Sequence, residues 1–251
     1  MDKAEEVVII IPSRLGSSRL ARKPLAKIGD APMIVQVWRR AIESKVGKVI
    51  VACADREIAD VVSEAGGEAV ITNPDLPSGS DRVFQALEKI DPSRSFDKIV
   101  NLQGDLPNIE PKTLSAVLEP LQNPEVDIGT LAARIQDQEQ RDDPNVVKVV
   151  AAIGDTDATR IARALYFTRV AAPAGDGDLW HHIGIYSYRR SALLKFVGLR
   201  QSGLELREKL EQLRALEAGM RIDVARVDNV PIGVDTPADL AKVRQEFRVN
   251  E

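Results

Sequence analysis

The chain has 251 residues, 34 Lys and Arg against 38 Asp and Glu, and a formal net charge of −4 at pH 7. This length suffices for a large α/β core without a structural metal, the single cysteine excludes an internal disulfide, and the slight acidity argues against sequence-independent nucleic-acid binding. The longest apolar run, residues 49–54, falls far short of the ~20 residues that cross a bilayer. The acidic opening MDKAEE is unlike a signal peptide. We therefore expect a cytoplasmic protein without membrane interactions.

Apolar runs alternate with helix-length segments over the first 100 residues. The pattern predicts strands at 7–11, 48–52, 68–71 and 98–102, and helices at 32–44, 55–65 and 80–90. Continuous apolar runs are typical of parallel strands that are buried on both faces, so Cys53 is expected to be a buried strand residue. We therefore predict half of a doubly wound α/β fold, in which ligands bind at the carboxyl ends of the strands.

The second half continues with less regular segments. The pattern predicts a helix at 111–121, strands at 127–135, 146–153, 182–189 and 221–227, a polar connection at 136–145, a long helix at 203–219 and a last helix from Thr236-Pro237. Residues 154–180 mix Gly, Asp, Ala and Pro around ALYFTR, which indicates an irregular excursion or small subdomain. Because no linker or repeat is present, we predict one domain over residues 1–251 with an insertion at about 154–200 that makes subunit contacts.

The loop after the first strand, IPSRLGSSRLARKPL at residues 11–25, is densely basic. No carboxylate lies between Ser13 and Lys27, and the cations are Arg14, Arg19, Arg22, Lys23 and Lys27. Together with the backbone N–H groups around Gly16, Ser17 and Ser18, they could bind one polyphosphate. The loop matches neither the Walker A nor the G-x-G-x-x-G pattern. A solvated basic loop is the alternative, but the position at the end of the first strand favours phosphate binding.

Two carboxylates are candidate metal ligands. Asp105 lies in NLQGDLP (101–107), where an apolar strand ends and Gly104 allows backbone to approach a ligand closely, and Asp235 lies in PIGVDTPADL (231–240), 130 positions later. Mg²⁺ typically takes one or two protein carboxylates and completes its shell with phosphates and water. A turn cap before Pro107 and a helix-entry Asp before Thr-Pro are the structural alternatives, and the residues alone do not decide between them.

Polar residues elsewhere offer further candidates. Ser78, Gly79 and Ser80 precede a helix in LPSGSDR and either contact a base or ribose or cap the helix. His181 and His182 are the two histidines, and with Cys53 they offer too few ligands for a zinc site. His182 or Tyr186 could contact a polar substrate, with packing as the alternative for the tyrosine. No G-x-S-x-G elbow of a serine hydrolase is present.

Seven ordered blocks resemble the 3-deoxy-D-manno-octulosonate (Kdo) cytidylyltransferases, the CMP-Kdo synthetases. The blocks are IPSRLGSSRLARKPL, NLQGDLP, PNVVKVV, ALYFTR, HIGIYSYR, LEQLR and VDTPADL. The resemblance implies a GT-A-like nucleotidyltransferase fold, that is, a three-layer α/β fold with a mostly parallel sheet and a dimerisation insertion. It also implies a homodimer that uses Mg²⁺ to join CTP and Kdo into CMP-Kdo and pyrophosphate for lipopolysaccharide biosynthesis.

The resemblance assigns roles by position. Catalytic and phosphate-binding roles fall to Arg14 and Lys23, with Ser17 and Arg19 shaping the loop. The cytidine pocket would be lined by Ser78, Gly79 and Gln103, and Mg²⁺ would be held by Asp105 and Asp235. Kdo would meet His182, Tyr186, Glu211, Gln212 and an arginine, either Arg163 or Arg169, that pairs with its carboxylate.

The chain departs from the family pattern at three places and leaves alternative substrates open. It has Ala21-Arg22, Ser80 and Leu106 where members of the family commonly have Pro-Gly, Thr and Glu. A related enzyme acting on sialic acid or on an amino derivative of Kdo is one alternative, and an idle nucleotide-binding module is another. The joint presence of both candidate metal carboxylates argues against the idle module, and the cation-rich first turn argues against a Rossmann dehydrogenase.

Overall fold

The computed structural model describes residues 6–16 and 20–249 of the chain. Contacts within the chain define two compact units, one made of Met1–Leu114 with Pro231–Glu251 and the other of Ser115–Val230. The division into one domain with an insertion at 154–200 stays a prediction. Among the described residues, no helix is both long enough and apolar enough to cross a membrane.

The described residues form strands and α-helices that are numbered here in chain order. The strands are β1 (Glu6–Ser13), β2 (Lys27–Ile28), β3 (Ala31–Pro32), β4 (Lys48–Cys53), β5 (Glu68–Ile71), β6 (Phe96–Asn101), β7 (Ile128–Arg134), β8 (Lys148–Ala151), β9 (Ile161–Thr168), β10 (Trp180–Arg189) and β11 (Ile222–Arg226). The helices are α1 (Met33–Glu43), α2 (Arg56–Glu64), α3 (Gly79–Ile90), α4 (Pro111–Ala116), α5 (Gln138–Asp142), α6 (Arg190–Val197), α7 (Gly203–Glu208), α8 (Leu213–Glu217) and α9 (Pro237–Val249).

The first unit is built on a parallel sheet with the strand order β5, β4, β1, β6. The central strand β1 pairs on both sides, with Ile10 opposite Ile50 of β4 and Asn101 of β6. Residues 8–11 of this strand are fully buried, as expected for a strand that is covered on both faces. The four predicted strands and the three predicted helices of this region are confirmed, and Cys53 is buried in β4.

An apolar cluster fixes the last helix of the first unit. Its buried members are Ile28, Met33, Val234, Leu240 and Val243. The predicted start of α9 is also confirmed, because Asp239 donates its N–H to the Thr236 side chain while its carboxylate accepts from the Thr236 hydroxyl and N–H. The apolar cluster places Val234, just before α9, close to Met33 at the start of α1.

The second unit contains a mixed sheet with the strand order β10, β7, β11, β9, β8. The pair β7–β11 is parallel, and the other neighbours are antiparallel. Strand β8 also pairs with β10 at Trp180 and His181, so the pairings run in a closed ring. The prediction of an irregular excursion over 154–180 is wrong for residues 161–168, because this segment pairs on both sides as β9.

Three predictions for the second half, two helices and one connection, need correction. The helix predicted at 111–121 ends at Ala116, and a short 3-10 turn over Glu119–Gln122 follows, because Pro120 has no N–H to continue an α-helix. The long helix predicted at 203–219 is two short helices, α7 and α8, since Lys209 is left-handed at φ 58°. The polar connection at 136–145 contains α5, which is capped by the Asp137 side chain.

Candidate active site

A cavity of about 370 Å³ opens at the carboxyl ends of β1 and β6 in the first unit. Side chains that line it include Ser13, Arg14, Lys23, Ser78, Arg82, Gln103, Asp105 and Asp235. The hydroxyl of Ser13 is buried and has no hydrogen-bond partner among the described residues. Because buried polar groups are rarely left unpaired, this cavity has the character of a binding site for a polar ligand.

Lys23 joins the two predicted metal carboxylates. Its Nζ donates to Asp105 Oδ2 at 2.8 Å and to Asp235 Oδ1 at 3.0 Å. Burial lowers the pKa of Lys23, but the charges of both carboxylates and the hydrogen bonds to them outweigh this effect and raise it. The lysine is therefore protonated at neutral pH. The three side chains form one charged cluster in the cavity.

Backbone contacts close the sequence distance between the two carboxylates. Val234 is fully buried in the apolar cluster that holds α9, and its N–H donates to the Asp105 carbonyl at 3.0 Å. Asp235 therefore follows directly after a residue whose N–H is hydrogen-bonded to the Asp105 carbonyl. This packing was not accessible from the sequence, in which each carboxylate was equally consistent with a local cap.

The segment that carries Lys23 turns sharply just before it. Arg22 is left-handed at φ 55°, a conformation that favours glycine, at a position where the sequence departs from the family's Pro-Gly. The guanidinium of Arg22 forms an ion pair with Glu57 at the start of α2. A 3-10 turn over Lys23–Leu25 follows, with Pro24 buried.

The base of the basic loop is held by α2. Leu15 donates its N–H to Asp55 Oδ2 at 2.7 Å, although Asp55 is the N-cap residue of α2 and its side chain makes no capping hydrogen bond there. Arg14 lines the cavity. The predicted loop residues Ser17 and Arg19 lie outside the described residues, so their roles stay predictions.

The residues predicted for the cytidine pocket lie along the cavity. Ser78 both lines the cavity and caps α3, because its hydroxyl donates to Asp81 Oδ2 at 2.6 Å and accepts from the Asp81 N–H. Gly79 and Gln103 also line it, and Gln103 donates to Asn101 Oδ1 at 3.4 Å. A Cβ at Gly104 would lie 3.0 Å from the Pro12 carbonyl oxygen, so the protein's own backbone approaches closely there.

Arg82 was missed at the sequence level. Its side chain is buried, lines the cavity and donates to Thr72 Oγ1 at 2.5 Å and to the Asn73 carbonyl at 3.0 Å. Burial and then the charge of Arg14 lower its pKa. The available signal was its spacing, since Arg82 lies four residues before the buried Ala86 and thus on the inward face of α3.

The residues predicted to meet Kdo belong to the second unit. The ring of His182 is buried, 4.8 Å from the Phe167 ring and 5.5 Å from the Tyr186 ring between centroids. Burial, and then the charge of His181, lower the pKa of His182 to about 3. Burial also raises the pKa of Tyr186, with smaller contributions from Tyr188 and Glu211. Glu211 Oε1 lies 3.8 Å from Arg214 Nη2.

The other predicted sugar-binding residues differ in the hydrogen bonds that they make; these are Gln212 and the two candidate arginines. The Nε2 group of Gln212 is buried without a hydrogen-bond partner among the described residues. Arg169 donates to the carbonyls of Glu208 at 2.8 Å, Pro144 at 2.9 Å and Lys209 at 3.4 Å. Arg163 is exposed on β9. Arg163 or Arg169 as the partner of the sugar carboxylate stays a prediction.

The carboxylate pair fits a divalent cation that also binds phosphate. Asp105 and Asp235 reach the same ammonium nitrogen, so their oxygens converge on a site that already favours a cation. Within the described ranges, no group of three or more His, Cys, Asp or Glu forms a complete metal site. A cation here would take its remaining ligands from phosphate and water, as Mg²⁺ does.

Comparisons with known proteins identify the family of the chain. The model of a family described as cytidylyltransferase matches residues 8–222. A 3-deoxy-manno-octulosonate cytidylyltransferase of Parvibaculum lavamentivorans is 61% identical over 94% of this chain and 91% of its own length. One of Paramagnetospirillum magneticum is 54% identical over 94% and 96%.

Solved structures extend the comparison to the fold. A CMP:2-keto-3-deoxy-manno-octonic acid synthetase complexed with CTP superposes with a TM-score of 0.89 at 36% identity, covering 98% of this chain and all of the other. A 4-diphosphocytidyl-2C-methyl-D-erythritol synthase from Anaerococcus prevotii, at 10% identity and a TM-score of 0.64 over 97% of this chain and 99% of its own, shares the fold alone. The chain belongs to the cytidylyltransferase family and, within it, to the 3-deoxy-manno-octulosonate cytidylyltransferases, which confirms the resemblance seen in the sequence.

Proposed function

We propose that the chain transfers CMP from CTP to the anomeric hydroxyl of Kdo and releases pyrophosphate. The observation that carries the proposal is the convergence of Lys23, Asp105 and Asp235 in the cavity at the strand ends. The names of the relatives and the CTP complex of a similar enzyme support the choice of nucleotide and sugar.

The reaction exchanges one bond at the α-phosphorus of CTP. The anomeric oxygen of Kdo bonds to this phosphorus, the bond to the bridging oxygen breaks, and pyrophosphate leaves with the bonding electrons. The hydroxyl proton is released. Negative charge grows on the bridging and leaving oxygens, so catalysis requires positioned positive charge and aligned reactants more than covalent chemistry.

Lys23 and Arg14 supply that positive charge. Two of the three ammonium protons of Lys23 are engaged by the carboxylates, which fixes the position of Nζ and leaves a third for a phosphate oxygen. Arg14 lines the same cavity and presents a fork that suits phosphate. The chain thus holds its cations before the nucleotide arrives, which favours electrostatic stabilisation of the transition state.

Mg²⁺ belongs to the same proposal. Asp105 and Asp235 would hold the ion, which would neutralise phosphate charge and orient the leaving group.

The remaining features of the proposal concern the sugar and the cell. His182, Tyr186, Glu211 and Gln212 of the second unit would bind Kdo, with Arg163 or Arg169 on its carboxylate. The product would enter lipopolysaccharide biosynthesis in the cytoplasm. A homodimer formed through residues 154–200, on a GT-A-like fold, is tested by light scattering; a monomer at micromolar concentration would contradict it.

Pyrophosphate release tests the proposed reaction. We expect release from the wild type with CTP, Mg²⁺ and Kdo, and a loss of about a hundredfold or more in Asp105→Asn, which removes a charge that organises the site. Asp97→Asn, an exposed change on β6, the strand that precedes Asp105 in the chain, is the matched control and should retain full rate.

The same assay separates the alternatives. Release with sialic acid or an amino derivative of Kdo in place of Kdo would keep the cytidylyl transfer and change the sugar. Release with other nucleoside triphosphates at equal rates would contradict the preference for CTP. Silence with every sugar would overturn the proposal in favour of an idle nucleotide-binding module.

A further inference from the structure

A buried threonine of the second unit contacts the candidate sugar-binding histidine. Thr130 of β7 is fully buried, and its Oγ1 lies 3.0 Å from His182 Nε2. The same oxygen lies 2.9 Å from the carbonyl oxygen of Ile185 and 3.2 Å from that of Ile183. The pairing of β10 with β7 shifts register between Ile183 and Tyr186, and both carbonyls of this irregular segment reach the one hydroxyl.

The hydroxyl of Thr130 has a single proton to donate. A carbonyl oxygen only accepts, so a hydroxyl that donated to the histidine would face two carbonyl oxygens with its lone pairs. Donation to the Ile185 carbonyl at 2.9 Å removes the closer of these two repulsions. The hydroxyl then accepts from Nε2, which requires that Nε2 carries a proton.

The ring of His182 carries one proton in total. Its burial disfavours the charged form and lowers its pKa to about 3, so the imidazole is neutral at pH 7. With the proton on Nε2, the other nitrogen, Nδ1, has a free lone pair and is an acceptor.

We infer that Thr130 fixes the tautomer of His182, so that the ring presents a bare Nδ1 that accepts a hydrogen bond from a sugar hydroxyl. The inference rests on the proposed function for the identity of the ligand, and it assigns Thr130 as a positioning residue. The buried Nε2 group of Gln212 has no partner among the described residues and supplies a donor in the same unit. One acceptor and one donor suit a polyhydroxylated acid, whose groups offer both.

The tautomer is measured directly by NMR on protein labelled with ¹⁵N-histidine. A bare ring nitrogen and an N–H nitrogen differ widely in ¹⁵N shift, and the chain has two histidines, so a His181→Gln variant assigns the signals. We expect a protonated Nε2 and a bare Nδ1 in the wild type. We expect this fixed state to give way to a mixture of tautomers in Thr130→Val, which keeps the shape and removes the hydroxyl.

Steady-state kinetics test the consequence for the sugar. Thr130→Val should raise the KM for Kdo about tenfold, the effect of one lost hydrogen bond, and leave the KM for CTP within twofold. Thr130→Ser should restore both the tautomer and the KM. Ser187→Ala removes another fully buried hydroxyl, bonded to the Val117 carbonyl at 2.5 Å, and should move neither.

The outcomes separate this inference from the proposed function. A wild type with the proton on Nδ1, or a valine variant that keeps both the tautomer and the sugar KM, would overturn the inference while CTP- and Kdo-dependent activity persists. An inactive wild type would overturn the proposed function, and the nitrogen shifts would still test the tautomer. If the valine variant does not fold, the wild-type spectrum and the serine variant decide.

Discussion

At the scale of single residues, burial determines which groups of this chain carry charge. Cys53 has its pKa raised to about 12 by burial, slightly offset by the charge of Arg82, so its thiol is unreactive at neutral pH. His181 has its pKa lowered to about 4 by burial and by the charge of Lys148. Lys23 behaves differently because two carboxylates hydrogen-bond to it, and it is a partly buried cation that stays charged.

The buried state of His182 predicts a pH dependence of stability. Its pKa is about 3 in the folded chain and about 6.5 in the unfolded chain, so the unfolded chain takes up the proton first as the pH falls. The neutral ring therefore contributes fully to the free energy of unfolding above pH 6.5. This contribution falls by about 2–3 kcal/mol between pH 6.5 and 4.5.

Urea denaturation of the wild type and His182→Gln between pH 7.5 and 4.5 measures this effect. We expect a shallower pH dependence in the variant, with the remaining slope from His181 and the carboxylates. Parallel slopes in the two proteins would show that the buried ring does not titrate between the two states.

At the scale of elements, one carboxylate connects a helix to the loop beside the cavity. Asp55 is the N-cap residue of α2, but its side chain accepts a hydrogen bond from the Leu15 N–H and makes no capping hydrogen bond to its own helix. We expect Asp55→Ala to raise the KM for CTP about tenfold, because the base of the basic loop loses its hydrogen bond. Asp55→Asn keeps an acceptor oxygen and should recover most of the affinity.

The control for this prediction lies on the same helix. Asp60 is exposed and pairs with Arg56 within α2, so Asp60→Ala should leave the KM for CTP unchanged. If the asparagine variant binds CTP as weakly as the alanine variant, the charge of Asp55 matters rather than its hydrogen bond.

The junction between α7 and α8 makes a second prediction at this scale. Lys209 is exposed and left-handed at φ 58°, a conformation that costs a residue with a Cβ about 1–2 kcal/mol. Lys209→Gly should therefore raise the free energy of unfolding by about 1 kcal/mol. Lys209→Ala keeps the cost and should not; equal stability of the glycine and alanine variants would contradict the explanation. Chemical denaturation measures both.

Elements with a strong local sequence pattern were predicted correctly, and elements that depend on distant contacts were not. The four strands of the parallel sheet in the first unit and the three helices between them were predicted from apolar runs, because burial on both faces leaves a strong local signal. The break at Lys209 and the strand β9 were not, since a left-handed residue without glycine and pairing on both edges leave little local trace. The residues of the site were found by type and position, but their convergence on Lys23 depends on packing around Val234 that no local pattern encodes.

At the scale of the whole molecule, a segment late in the chain completes the first unit. Val243 of α9 is fully buried in the cluster that fixes Val234. Val243→Ala should lower the free energy of unfolding by about 2 kcal/mol, from lost burial and a residual cavity, while Gln245→Ala on the exposed face should not.

The ligand should offset this loss. A ligand that binds only the folded chain stabilises it by mass action, so CTP with Mg²⁺ should raise the denaturation midpoint of Val243→Ala. A variant that is destabilised and gains nothing from CTP at concentrations that saturate the wild type would mean that the cluster also determines the geometry of the binding site.

The first unit is made of two separate chain segments, and this has a consequence during synthesis of the protein. Synthesis delivers Lys23 and Asp105 early, and the whole second unit is made before the segment with Asp235 and α9 appears. A nascent chain therefore displays a basic loop, one carboxylate and an uncovered apolar surface at Ile28 and Met33 for as long as residues 115–230 take to emerge. For this interval, of the order of ten seconds, the apolar surface that α9 covers in the folded chain is open to aggregation.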